Sequence, residues 1–250
     1  MFVNDIEYKF IQPPAFLAEF VESYWMLVNH SEEEKAVVLV PDGRVDVFFS
    51  YSSAEPFHTT VAGVEREASS ASIRPRTVIF AVSFKLLAVE YILDTTVSVN
   101  EVRYLPAGFW GITADDLADF GRFCQTISDI LKGLADKAMD GRKVKLFELI
   151  YGSNGSLPIR ELAERAAWSS RQINRYFNQR FGISLKAYCD ILRFRASFQD
   201  IRAGKLFPEQ NFTDQAHFIR DVRKFSGVTP KGLRKNQNDR FIQFSTLEKR

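Results

Sequence analysis

Phe16, Leu17, Phe20, Val21 and Tyr24 recur at steps of three and four behind Pro13 and Pro14. That spacing marks one helical face, and proline suits a helix start, so a short amphipathic helix is predicted there. The period then changes. KAVVLV (35–40) and RVDVFFSY (44–51) flank Pro41-Asp42-Gly43. With proline preset for the second turn position and glycine free for positive φ, they read as two tightly linked strands. HTTVAGVE (58–65), RTVIFAVSF (76–84) and VEYIL (89–93) continue the β-rich pattern, which predicts a mostly antiparallel sheet or small barrel.

Helical spacing returns in TADDLADFGRFCQTISDILKGLADK (113–137). Thr113 is placed to cap it, Asp115, Asp116 and Asp119 sit near its positive end, and Lys132 and Lys137 near its negative end. Leu117, Phe120, Cys124, Ile127, Leu131 and Leu134 alternate steps of three and four, the pattern of two helices packed side by side. The stripe either joins two protomers, giving a homodimer through the 115–135 helix, or covers the open face of the β-domain. The small polar run ADKAMDGRK (135–143) reads as a linker and places a boundary near Asp140.

Beyond it the period is helical throughout. KVKLFELIYG (143–152) is followed by a Ser-Asn-Gly-Ser loop and LPIRELAERA (157–166), in which Pro158 begins a second helix. After a break at Ala167-Trp168, Ser169 can cap a third. In SSRQINRYFNQRFGIS (169–184), Ile173, Tyr176 and Phe177 share one side, while Arg171, Gln172, Asn174, Arg175 and Asn178 share the other. With Ile159, Leu162 and Ala163 bracing that apolar side, the polar set suits a major-groove reader. Arginine offers two donors to guanine O6 and N7, and asparagine or glutamine can pair with adenine.

Charge sharpens the division. Residues 1–140 carry 11 Lys+Arg against 21 Asp+Glu, and residues 141–250 carry 22 against 10, so a net +2 hides halves of −10 and +12. A basic module that meets a polyanion, joined to an acidic module with another task, fits this balance. At 46% hydrophobic and 26% charged, the 250 residues support globular domains with proper cores. No run approaches the ~20 apolar residues of a membrane span and no signal-peptide pattern opens the chain, so a cytoplasmic protein with no membrane partner is expected.

Cys124 and Cys189 are far apart, and His30, His58 and His217 are scattered, so neither a disulfide framework, a metal site nor any other cofactor is expected. Asp42 and Asp46 read as structural carboxylates rather than an acid–base pair, and Tyr24, Trp25 and Trp110, which could line a pocket, read first as core. With no nucleophile, metal set or phosphate loop to name, the chain is not expected to be an enzyme.

Ile159 to Ser184, with LKAY, Arg193 and Ala196 after it, resembles the DNA-binding domain of AraC/XylS transcription regulators, and FTDQAHFIRDVRKFSGVTP (Phe212 to Pro230) is similar to that domain's C-terminal signature. The resemblance covers roughly residues 143–236. It implies seven helices in two helix-turn-helix units joined by one long helix, here LKAYCDILRFRASFQDIRA. By position it makes Ser170, Arg171, Gln172, Asn174 and Arg175 the DNA-facing candidates of the first unit. In the second, Asp214 becomes the cap, Phe218, Val222 and Phe225 the core side, and Gln215, His217, Arg220, Arg223 and Lys224 the outward set.

Two departures stand out. Ala167 replaces the glycine usual in the first turn, and the second unit offers only LFPEQN (206–211) before its recognition helix. An abbreviated, weakly braced second unit would contribute phosphate contacts through Arg220, Arg223 and Lys224, leaving base readout to the first. More loosely, YW…VPDGRVDVFF (Tyr24 to Phe49) resembles the sensor domain of such regulators, often a cupin-like barrel.

The expected architecture is therefore α+β. It comprises a mostly antiparallel β sensor or dimerisation domain over 1–140, an all-α double helix-turn-helix domain over 141–236, and a tail over 237–250. The expected function is sequence-specific binding of double-stranded DNA, with an unknown small-molecule effector or a homodimeric contact in the first domain. The first alternative is a non-specific nucleic-acid-binding or adaptor protein that uses charge without base readout, and the second an enzyme acting on a small molecule in the β-domain, for which no catalytic group can be named.

Overall fold

Val21–Asn29 is a strand where helical spacing predicts a helix, and only Ala15–Leu17 makes a 3-10 turn. Tyr24 and Met26 on one side and Leu27 on the other are all buried. A stretch covered on both faces between two partner strands keeps the extended form whatever its apolar spacing.

The computed structural model describes residues 2–3, 5–135, 137–205, 212 and 214–245. Its strands are β1 (Phe2–Val3), β2 (Ile6–Ile11), β3 (Val21–Asn29), β4 (Lys35–Leu39), β5 (Val45–Tyr51), β6 (His58–Ala62), β7 (Ser69–Ile73), β8 (Val78–Phe84) and β9 (Val102–Tyr104). One sheet runs β1-β2-β3-β8-β5-β6-β9, antiparallel at every pairing, and β4 pairs with β7 separately. The expected β4–β5 hairpin does not form, because both edges of β5 are taken by β6 and β8. VEYIL is not a strand either. Leu86–Tyr91 forms helix α1, whose Leu86, Leu87, Ala88 and Val89 are all buried, and a short run buried all round has no diagnostic period.

The chain divides into two compact units. The first holds residues 1–36, 44–63 and 72–138 and contains the long sheet. Thr113 caps a 3-10 turn, Ala114–Ala118, through a capping box with Asp116. Extended Asp119 then caps α2 (Phe120–Leu134), so the expected single helix is broken there. The α2 stripe lies on its own sheet. Phe123 meets the rings of Phe49 at 5.4 Å and Phe80 at 5.3 Å, Ser128 Oγ lies 2.9 Å from Tyr24 Oη, and Ile127 and Leu131 are 0% exposed. This corrects the homodimer seam. The same apolar row serves either purpose, and here the sheet already covers it.

The second unit holds residues 139–250 together with Val37–Gly43 and Val64–Ala71. Its helices are α3 (Gly141–Gly152), α4 (Ile159–Arg165), α5 (Ser170–Phe181), α6 (Leu185–Ala196), α7 (Phe198–Ala203), α8 (Gln215–Ser226), α9 (Pro230–Lys235) and α10 (Ile242–Ser245). Phe147, Phe177, Phe181 and Tyr188 share one aromatic core. Tyr188 donates to the Gly43 carbonyl at 3.0 Å and lies 2.8 Å from Tyr151 Oη. Gly155 must be glycine: its φ is +70° and a Cβ would stand 2.5 Å from the Cys189 carbonyl oxygen. Past α9, buried Phe241 and Phe244 anchor the chain, and Gln243 bonds both the amide and the carbonyl of Val40 at 3.1 Å. Burial pushes both cysteine thiols up to about 12, which suits inert core residues. Among the described residues no helix is long and apolar enough to cross a membrane, and no three His, Cys, Asp or Glu side chains cluster as a metal site.

Glu65, also in this unit, accepts a hydrogen bond from Ser69 at 3.1 Å. Burial, with the Asp42 charge adding to it against the Ser69 hydrogen bond, raises its carboxyl to about 7. A folded-state pKa above the unfolded value favours the protonated native state, so this stabilisation is complete below about 4.5 and lost as pH rises through about 7. The expected cost between pH 6 and 8 is about 1 kcal/mol. Thermal unfolding of Glu65→Gln should show that part of the pH dependence removed; an unchanged profile would refute the assignment.

Candidate nucleic-acid interface

Ser169 opens α5 with a reciprocal capping box. Its hydroxyl accepts from the Gln172 amide at 3.3 Å and donates to Gln172 Oε1 at 2.7 Å. On the inner side Ile173 and Phe177 are 0% exposed, as is Leu162 of α4. The turn between these helices closes as a Schellman motif. Trp168 N donates to Ala163 O at 3.0 Å and Ala167 N to Glu164 O at 3.2 Å, with Ala167 at φ +49°. A negative φ, which would have made this alanine harmless, is not what the turn adopts. Left-handed backbone costs an L-residue about 1–2 kcal/mol, and glycine returns part of that as unfolded-state entropy. Ala167→Gly should therefore stabilise the second unit by about 0.5–1 kcal/mol, read as a higher denaturant midpoint; a lower midpoint would refute the strain.

On the outer side Arg171, Gln172, Arg175 and Asn178 are exposed, whereas Ser170 and Asn174 are half-buried. Gln172 is engaged in the cap, Asn174 donates back to the Ser170 carbonyl at 3.1 Å, and Asn178 donates to the Asn174 carbonyl at 2.8 Å. The two arginines differ from those of α4, where Arg160 pairs with Glu164 at 2.9 Å and Arg165 with Glu161 at 3.1 Å. Among the described residues Arg171 and Arg175 have no carboxylate partner. Arg142 lies 5.4 Å from the Trp168 ring and Lys143 lies 4.9 Å from the Tyr176 ring, adding positive charge beside the turn.

In the second unit of the motif, Asp214 caps α8 by accepting from the His217 amide at 2.7 Å. Phe218, Val222 and Phe225 are buried, with Phe212 5.0 Å from Phe218 and Phe194 5.2 Å from Phe225. The expectation of a weakly braced recognition helix is thus corrected. The predicted long helix breaks at Ser197, and its end, α7, stands as the helix preceding α8 in the chain. LFPEQN lies outside the described residues. Gln215, Arg220, Arg223 and Lys224 are exposed, Lys224 4.7 Å from the Phe225 ring. His217, expected to face out, is half-buried, with Nε2 3.3 Å from Asp221 Oδ2.

A charged cluster beneath α8 was not visible in sequence. Arg193 pairs with Asp190 and donates to the Gly155 carbonyl at 3.0 Å. Burial raises the Asp221 carboxyl, against the opposing charges of His217 and Arg193. The three-residue step from Asp190 to Arg193 is readable on a helix, but the approach of Asp221 is a tertiary contact with no local signal.

Comparison with known proteins follows the same division. Residues 162–236 match a family model described as a helix-turn-helix domain, and residues 9–103 match one described as a domain of unknown function, DUF6597. No curated protein sequence matches the chain. Among solved structures, ToxT from Vibrio cholerae O395 is 10% identical with a TM-score of 0.41, over 90% of this chain and 95% of that one. Unsaturated fatty acid-bound ToxT from strain SCE256 is 8% identical with a TM-score of 0.38, over 92% and 94%.

Proposed function

We propose, from the premise that residues 162–236 are an AraC-type helix-turn-helix domain and the chain a DNA-binding regulator of transcription, that α5 reads bases and α8 supports it from the adjacent groove. The observation that carries this is the contrast on neighbouring helices: the α4 arginines are internally paired, whereas Arg171 and Arg175 stand exposed with no carboxylate partner among the described residues. A cation already paired on its own helix has less to gain from phosphate or guanine; one that is not retains both. Arg220, Arg223 and Lys224 supply the phosphate contacts of the second recognition helix, with Gln215 at its N-terminal end. Ser170, Gln172 and Asn174 act by presenting the first turn of α5, since their side chains or carbonyls are engaged locally.

The first unit is the sensory part. Its sheet carries a half-buried aromatic and polar face on which Trp25 meets Phe48 at 5.7 Å and donates to Ser83 Oγ at 3.0 Å. That composition suits a small-molecule effector.

The deciding experiment selects genomic fragments bound by the full chain, then compares the best fragment with random DNA across salt. A specificity ratio of about 10³ or more at physiological salt is expected, with both affinities falling as salt rises. Equal affinity for both would refute base readout and leave a charge-only binder.

A further inference from the structure

We infer that Asp221 is a positioning residue for DNA recognition: its carboxylate fixes the roll of α8 against α6, and with it the offset between the two recognition helices. Asp221 stands on the flank of α8, between the buried row of Phe218, Val222 and Phe225 and the exposed Lys224. Its side chain is only 13% exposed, and Oδ2 is buried with no hydrogen-bond partner. His217 Nε2, one turn back, lies 3.3 Å from that oxygen without making a hydrogen bond to it.

A carboxylate so placed does little for stability. Burial raises its pKa; His217 opposes that, Asp190 adds to it, and Arg193 and Lys224 oppose it. An incompletely paired buried charge costs more than an apolar side chain of the same shape would. What the charge adds is direction. An apolar flank accepts any roll that keeps it covered, whereas a carboxylate favours the one that holds it nearest a cation. The cation here is fixed. Arg193 on α6 donates from Nη1 to the Gly155 carbonyl at 3.0 Å and pairs with Asp190 through Nη2, while its Nε is buried without a hydrogen-bond partner. Gly155 is held in turn at φ +70° against the Cys189 backbone, in the loop between α3 and α4. Helix α4 braces α5, so the guanidinium that attracts Asp221 is tied to the first motif. Asp190 places a like charge beside it. Drawn to one neighbour and refused by the other, the carboxylate narrows the roll open to α8, and α5 and α8 are referred to a single arginine.

The effect on DNA rests on the regulator reading above; the orientation of α8 does not. Two measurements on the full chain keep them apart. Residual dipolar couplings of backbone amides in the free protein give the orientation of α8 relative to α6. Affinity is then compared between the best selected fragment and the same fragment with one base pair inserted between the segments met by α5 and α8, a shift of about 3.4 Å and 35°. Wild type is expected to prefer the original spacing by at least about tenfold. Asp221→Asn keeps the shape and loses the charge. It should hold or raise the melting temperature, scale down the α8 couplings relative to those of α6, and lose most of the spacing preference. Asp221→Glu, which keeps the charge, should restore both the couplings and the preference. Unchanged α8 couplings in Asp221→Asn overturn the proposal, as does a wild type indifferent to spacing. A lower melting temperature with both spacings weakened alike also overturns it, because that is the mark of a merely structural residue. A wild type that prefers no fragment refutes the regulator reading, and the couplings alone then decide whether Asp221 orients α8.

Discussion

Leu131→Glu is expected to destabilise the first unit by about 4–5 kcal/mol, enough to unfold a unit of ordinary stability. Leu131 is 0% exposed on the α2 face that carries Phe123 and Ser128 against the sheet. The substitution removes a buried aliphatic side chain and leaves a carboxylate in the same fully buried place on an apolar row. In the full chain this should appear as loss of one thermal transition while the helical unit still melts cooperatively. Leu131→Met, which conserves volume and polarity, should cost less than about 1.5 kcal/mol. A Leu131→Glu protein that is folded and of unchanged melting temperature would mean that the stripe is exposed in solution, and sedimentation of wild type would then decide whether it joins protomers.

Arg171→Ala and Arg175→Ala are each expected to weaken binding at the selected fragment by about 1–3 kcal/mol, a factor of roughly 5 to 150, with far smaller losses on random DNA. The asymmetry follows from geometry. A bidentate arginine–guanine contact is available only where the right base stands, whereas a phosphate contact is available everywhere. If an arginine touches phosphate alone, its removal should weaken all sequences alike and reduce the log–log salt slope by about 0.9. Neither residue packs in the core, so loss of binding is not expected to accompany loss of fold. Equal losses on both DNAs would reassign α5 to the backbone and move base reading to α8.

Local periodicity and capping chemistry were enough to read the second unit in outline. Ile173 and Phe177 face inward, Ser169 and Asp214 cap the two recognition helices, and Arg171, Arg175, Arg220 and Arg223 face outward. Each of these depends on residues within one or two turns, and so leaves its mark in spacing. The charge division and the helix-turn-helix resemblance were legible for the same reason. What periodicity could not rank was a segment with more than one acceptable partner. Phe16–Tyr24 has helical spacing, but from Val21 onward it is drawn into a strand by β2 and β8, and the α2 stripe fits a second protomer as well as it fits the sheet that covers it. Leu86–Val89, buried on all sides, has no period to read.

Only the fold brought Asp221 to Arg193 and Asp190, turned Asn174 back along its helix, and set Val37–Gly43 in the helical unit through Tyr188 and Gln243. The sequence by itself determined which faces must be apolar and where helices could start. Tertiary structure decided which surface met each face, because burial rewards any apolar partner of the right shape, and that choice is made by contacts between residues far apart in the chain.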